Sequence, residues 1–186
     1  MSTITITEAL QEIKTIGLRL NKKRGSIGSY LAREARVRDP LEKDGGSEKF
    51  ITEELQAIND LEKRIVAIRT AIQRSNLGAS LTIGAMSFTV AEWLTWRREI
   101  AGNQKQFLHT VVNAIAGFRN EVQKKGGRVV GSAVAINEAI GVNDPPQIVV
   151  NIDERKVVKA QEEMEEVTGV LDGKLSLFNA TTLIEV

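Results

Sequence analysis

Cysteine does not occur in this 186-residue chain, and histidine occurs once, as His109. The first absence removes disulfides, thiolate zinc sites and cysteine nucleophiles, and it is compatible with every redox compartment. The second closes off metal sites that need two histidines from one chain. Aromatic residues make up only 4%, so a core has to be filled by Ile, Leu, Val and Ala, which suits narrow helix-on-helix seams. No apolar run approaches the ~20 residues of a membrane-spanning helix. Positions 1–10 carry neither a basic leader nor an apolar signal segment, so a cytoplasmic protein, or one carried on a particle assembled in the cytoplasm, is expected. The P-loop, the dinucleotide-binding glycine fingerprint, the nucleophile elbow and the EF-hand loop are also missing. The expectation is a protein that is not an enzyme, with no cofactor and no metal.

What is present is helical periodicity. Ile6, Leu10, Ile13, Ile16 and Leu20 supply an apolar seam for a first helix, and Leu55, Ile58, Leu61, Ile65, Ile68 and Ile72 one for a second. In a third, Gln104, Leu108, Val111, Ile115, Phe118 and Val122 alternate steps of four and three, with Trp93, Ile100 and Phe107 widening the stripe near its start. In a fourth, Val157, Gln161, Met164, Thr168, Leu171, Leu175 and Phe178 keep the spacing of a coiled-coil seam. Thr5 with Glu8, and Thr89 with Glu92, have the spacing of capping boxes. Gly25 and Gly28 should end or break the first helix, residues 39–46 should form an exposed connection, and Gly126 and Gly127 should stop the third. Residues 80–90 read as a β-hairpin turning at Gly84 and Ala85. Val129, Val130, Val134, Ile136, Ile148 and Val150 offer further short strands around Gly131 and Gly141, and residues 181–186 another.

The sequence also repeats. Residues 4–10 (Ile-Thr-Ile-Thr-Glu-Ala-Leu) resemble 88–94 (Phe-Thr-Val-Ala-Glu-Trp-Leu), and Ile68, Ile72, Asn76, Leu81 and Ile83 fall without a gap on Leu171, Leu175, Asn179, Ile184 and Val186. The fold expected is therefore mainly α. Two repeated long αα-hairpins form a four-helix, coiled-coil-like body, with a minor β-layer of short strands at one end. It is a single domain, 1–186, of two related halves: 1–87, and 88–186 with an inserted Gly- and Pro-containing segment at 126–147.

The net charge is +1, but its placement is uneven. Arg19, Lys22, Lys23, Arg24, Arg33, Arg36 and Arg38 form a basic strip, and Asp153, Glu154, Glu162, Glu163, Glu165 and Glu166 an acidic counterpart. Solvated faces that attract each other within or between subunits are the ordinary reading. A phosphate-binding strip is the sharper one, although only Tyr30 is near enough to stack on a base. Residues 25–29 (Gly-Ser-Ile-Gly-Ser) come nearest to a phosphate cradle but lack its lysine and preceding strand. His109 has no identifiable acid or base partner and reads as structural. Glu162 with Glu165 or Glu166 puts two carboxylates on one helical face, and without histidines at matching positions that face is a solvated one. Trp93, Trp96, Arg97 and Arg98 are the least ordinary cluster. Packing in the core is the common role for such rings, and an interface anchor is the functional alternative, because interfaces enrich Trp and Arg.

On particular residues the chain resembles the septicolysin-like family of small helical proteins. These are Glu8, Ala9 and Leu10 opening the first helix, residues 72–76 (Ile-Gln-Arg-Ser-Asn) closing the second, and Leu171, Asp172, Leu175, Asn179, Thr182 and Leu183 farther on. The chain departs from the family pattern at Ala180, where tryptophan is expected. The resemblance implies the helical fold. The family name implies a haemolytic toxin, for which the sequence offers no amphipathic membrane-seeking segment, and the phage and prophage setting of such genes implies a virion role. The reading adopted is a non-enzymatic scaffold that self-associates into a homo-oligomer and meets other structural proteins, a phage virion component. A small nucleic-acid-binding or regulatory module using residues 19–38 is the alternative, and a membrane-active toxin a further one.

Overall fold

The computed structural model describes residues 3–131 and 147–186. The chain is mainly helical with a few short strands. Strand β1 (Thr3–Thr5) leads into helix α1 (Ile6–Tyr30). A connection with a short 3-10 turn at Glu42–Asp44 precedes α2 (Gly46–Gly78). Strands β2 (Ser80–Ile83) and β3 (Met86–Thr89) form the expected hairpin before α3 (Val90–Trp96). A π-helical turn, Arg97–Ala101, joins α3 to α4 (Gly102–Lys124). Strand β4 (Arg128–Gly131) pairs in parallel with β5 (Gln147–Val150), and α5 (Glu154–Thr181) runs on to β6 (Leu183–Glu185). The expected strand positions Val134 and Ile136, and Gly141, lie outside the described residues. In place of one β-layer, the described strands make three separate two-stranded sheets.

Two compact units divide the chain, Met1–Ser80 with Lys174–Val186, and Leu81–Gly173. The expected halves were 1–87 and 88–186, so the last stretch of α5 and β6 join the unit made by the first two helices. In that unit α1 and α2 run antiparallel, with Glu12 bonded twice to Arg64 at 2.8 and 3.2 Å and Lys23 to Glu54 at 2.8 Å. Ile6, Ala9, Ile16, Leu20 and Ile27 from α1 meet Ile58, Ile68 and Ile72 from α2, and Ile184 of β6 completes the cluster. Each fully buried aliphatic side chain there contributes about 1.5–3 kcal/mol. Strand β6 pairs antiparallel with β1, with Ile4 opposite Ile184.

Three expectations for these helices are corrected. Leu10 is partly exposed and Ala9 is buried in its place, and Leu55 is 54% exposed while Glu54 faces Lys23. The step of four back from Ile58 holds the seam, where the step of three had been expected. Gly25 and Gly28 do not break α1, which continues to Tyr30. Each glycine costs about 1 kcal/mol in a helix, and the buried Ile27 with the edge-to-face contact of Tyr30 and Phe50 at 5.2 Å offsets that cost. Because residues 25–29 are helical, their backbone N–H groups are not free to cradle a phosphate.

In the other unit, α4 and the part of α5 up to Gly173 pair antiparallel. Arg97 meets Asp172 at 3.1 Å, Lys105 meets Glu165 at 3.3 Å, and Arg119 meets Glu154. Ala101, Leu108, Ile115 and Val122 are buried on one side, and Val157, Met164 and Leu171 on the other. Lys125 and the left-handed Gly126, φ +71°, end α4 as expected.

Candidate functional site

Of the residues singled out by sequence, Trp93 and Trp96 lie in α3, and Arg97 and Arg98 in the π-turn that follows it. Gly84 takes φ +57° in the turn between β2 and β3, and the Thr82 and Ser87 hydroxyls meet at 3.1 Å across the hairpin. Thr89 then caps α3. Its hydroxyl accepts from the Glu92 backbone N–H at 3.2 Å, while the Glu92 carboxylate accepts from the Thr89 backbone N–H at 2.7 Å. The Thr89 hydroxyl also donates to that carboxylate at 2.8 Å, and the backbone N–H first and this hydroxyl second hold the Glu92 carboxyl below its ordinary pKa. Trp93 follows one turn later with 0% of its surface exposed. Its indole N–H donates to the Leu81 carbonyl at 2.8 Å, and its ring packs edge-to-face against Phe88 and Trp96 with centroids 5.0 and 5.4 Å apart.

Trp93 is therefore a core residue, the common role for such a ring, and has no exposed surface to present to a partner. Trp96 is half-buried. Arg97 and Arg98 lie in the π-turn, exposed, and bonded to Asp172 and to Glu99 (2.6 Å) respectively. Such exposed pairs contribute little stability, roughly 0–1 kcal/mol.

The π-turn alters which face of α4 is buried. Trp93, Ile100 and Phe107 are seven residues apart and would share a stripe on an uninterrupted helix. The π-turn widens one turn by a residue, so that Trp93 is in phase with Ala101, Leu108, Ile115 and Val122 instead. Ile100 and Phe107 are left 47% and 65% exposed, and Phe118 50% exposed. With half-buried Val111, they form a second seam of heptad spacing beside the buried one. Phe118 and Val111, with Ile115, Val149 and Ile152, also line an apolar groove of about 470 Å³. Sequence reasoning placed Ile100, Phe107, Val111 and Phe118 in a core stripe and so missed this surface. The signal that pointed to it was the spacing of Ile100 and Phe107, each one residue before Ala101 and Leu108 of the seven-residue run Ala101, Leu108, Ile115 and Val122 that is buried.

The basic strip is divided between α1 and the connection that follows it, and most of its members are engaged nearby. Lys23 and Arg24 pair with Glu54 and Glu62 of α2, each at 2.8 Å. Arg33 donates to the Val37 carbonyl at 2.6 Å and Arg38 bonds Glu42. Arg19 adds a weaker attraction to Glu12, whose carboxyl is lowered first by the Arg64 hydrogen bond. Among the described residues no ion-pair partner lies within 4.0 Å of Lys22 or Arg36. Three acidic residues of α5 are likewise answered locally, Glu154 by Arg119, Glu165 by Lys105 and Glu163 by Lys159. In the connection, Asp39 accepts from the Ser47 and Leu41 backbone N–H groups and from the Ser47 hydroxyl. That fastens the loop to the start of α2, and the Ser47 bonds hold the Asp39 carboxyl low.

His109 is exposed beside Asn113, its Nδ1 3.0 Å from the amide nitrogen. Among the described residues no three His, Asp or Glu side chains gather where a metal ion could be held, and no helix is long and apolar enough to cross a membrane. No protein-family description, curated protein or solved structure matches the chain.

Proposed function

We propose that the chain is a non-enzymatic scaffold that assembles with other copies of itself. The observation that carries this reading is the exposed seam on α4. Ile100, Phe107 and Phe118 each leave about half or more of their surface in water at the spacing a partner helix would cover. The resemblance to septicolysin-like proteins supports a phage particle as the setting, with the cytoplasm as the place of synthesis. The nucleic-acid reading of residues 19–38 loses ground because Lys23, Arg24, Arg33 and Arg38 already bond partners within the chain.

Light scattering across a concentration series tests the proposal. The expected mass is a defined multiple of the 20.4 kDa chain, and Phe107→Glu with Phe118→Glu should return it to the single-chain value while leaving the helical signal intact. Both side chains are at least half exposed, so the substitutions cost the fold little. A single-chain mass for the unaltered protein at the highest concentration overturns the reading.

A further inference from the structure

The two antiparallel strand pairs beside the helix starts have equivalent construction but different covalent connection. In each, the strand that leads into a helix pairs with a strand that has just left one: β3 with β2, and β1 with β6. The helices that supply the outgoing strands end alike. The Ala79 N–H donates to the Ser75 carbonyl at 3.1 Å after α2, and the Thr182 N–H to the Phe178 carbonyl at 2.9 Å after α5. These residues correspond in the sequence repeat, as do Leu81 with Ile184 and Phe88 with Ile4. A two-residue turn places Leu81 opposite Phe88, and the observed register places Ile184 opposite Ile4. Each sheet thus takes one strand from each half of the repeat. In β2 with β3 a turn makes the connection. In β1 with β6 only hydrogen bonds and packing do.

From this we infer an interaction surface for a second copy of the chain: Lys174–Val186 of one molecule docks on β1, α1 and α2 of another, in the register it uses within one molecule. The inference rests on the self-association reading and names one segment through which copies join. Ile184 belongs to the buried cluster of the first unit, and Phe178 and Val186 pack against that cluster. The same apolar contacts are therefore satisfied whichever molecule supplies the segment, which is the condition for exchange at low cost. The segment enters from α5 next to Gly173, the last residue of the other unit, with Gly169 one turn before it. A Cβ at either glycine would meet nothing within 4 Å, so packing does not require glycine there. Two glycines so close weaken the helix where the segment would have to swing out. Docking within one molecule is favoured by an effective concentration on the order of mM for a short flexible link, so exchange is favoured where copies are crowded, as in an assembling particle.

Because the chain has no cysteine, thiols introduced at the exposed register pair Thr3 and Glu185 report the pairing directly. Paired strand positions are within disulfide reach. The double variant Thr3→Cys with Glu185→Cys, oxidised in dilute solution, should close within one chain, which verifies the fold and register. Single variants Thr3→Cys and Glu185→Cys, one of them isotopically heavy, are then mixed at high concentration, oxidised, and weighed by denaturing mass spectrometry. The expected product is a mixed dimer joined through positions 3 and 185, in several-fold excess over either homodimer. A closed double variant without mixed dimers overturns the exchange. If light scattering still gives an oligomer in that case, self-assembly stands on the exposed α4 seam without the exchange, whereas a single-chain mass removes both.

Discussion

The two helix starts, at Thr5 and at Thr89, share their backbone chemistry and differ in what fills the space beneath it. Thr5 and Glu8 make the same reciprocal bonds as Thr89 and Glu92, 2.8 and 3.2 Å in the first against 2.7 and 3.2 Å in the second. Four residues after each cap comes a fully buried side chain, Ala9 in the first and Trp93 in the second, both 0% exposed. Ile4 and Phe88 precede them at corresponding positions. Capping is thus common to both starts, while the volume each helix must accommodate is different. A small residue suits a start whose helix lies along α2. A large ring with a hydrogen-bonding edge suits one that must also hold a hairpin, and the Trp93 N–H reaches back to Leu81 to do so.

The comparison breaks most visibly if the fillers are exchanged. Trp93→Ala should cost about 3–5 kcal/mol, the range for emptying a buried aromatic site. Hydrogen exchange should show the loss concentrated in residues 81–124, with the α1 amides little affected. Trp93→Phe keeps much of the volume but leaves the Leu81 carbonyl without its donor, for a smaller cost of roughly 1–3 kcal/mol. The reciprocal change, Ala9→Leu, adds volume to a site with no exposed surface and should cost about 1–3 kcal/mol. If Ala9→Leu is neutral, the first start has spare room and its difference from the second is not a packing difference.

The shared feature gives a sharper, smaller test. Thr5→Ala and Thr89→Ala each remove the hydroxyl that satisfies an N–H at the helix start, at a cost of about 1 kcal/mol apiece. Urea denaturation of the two variants should give nearly equal losses, and Thr→Ser at either position should restore most of the stability. Unequal losses would mean that equal bond lengths conceal different surroundings.

Much of this was legible in the sequence because local chemistry wrote it. The capping boxes were read from Thr and Glu three residues apart, the hairpin from alternation around Gly84, and the α5 seam from Val157, Met164, Leu171 and Leu175, all buried. Two kinds of feature were not. The persistence of α1 through Gly25 and Gly28 depends on tertiary contacts of Ile27 and Tyr30, which propensity does not see. The π-turn at Arg97–Ala101 has no residue signature, yet it decides that Phe107 faces water and Ala101 does not. Trp93 is consequently in phase with the buried side of α4, and the exposed apolar side chains Ile100, Phe107 and Phe118 lie on a face that an unbroken heptad stripe would have buried. The return of Lys174–Val186 to the first unit was implied by the repeat only once its strands were seen to pair across halves.

The smallest effect expected is in acid. Glu8, like Glu92, has its carboxyl lowered first by the backbone N–H of its capping threonine and then by that residue's hydroxyl. A group whose pKa is depressed on folding adds stability that is fully present above its unfolded value and is lost as pH falls through the folded one. Stability should therefore decline below the usual carboxylate range as both caps protonate, with Asp39 and Glu12 contributing in the same direction. Glutamine also completes a capping box, so Glu8→Gln and Glu92→Gln should keep the helix starts at neutral pH while removing their share of the acid dependence. Urea midpoints measured at several pH values below neutrality should show each variant with a shallower decline than the unaltered chain, by similar amounts. A variant whose decline is as steep as the original would place the acid sensitivity at Asp39 or Glu12 and end the equivalence of the two starts in their electrostatics.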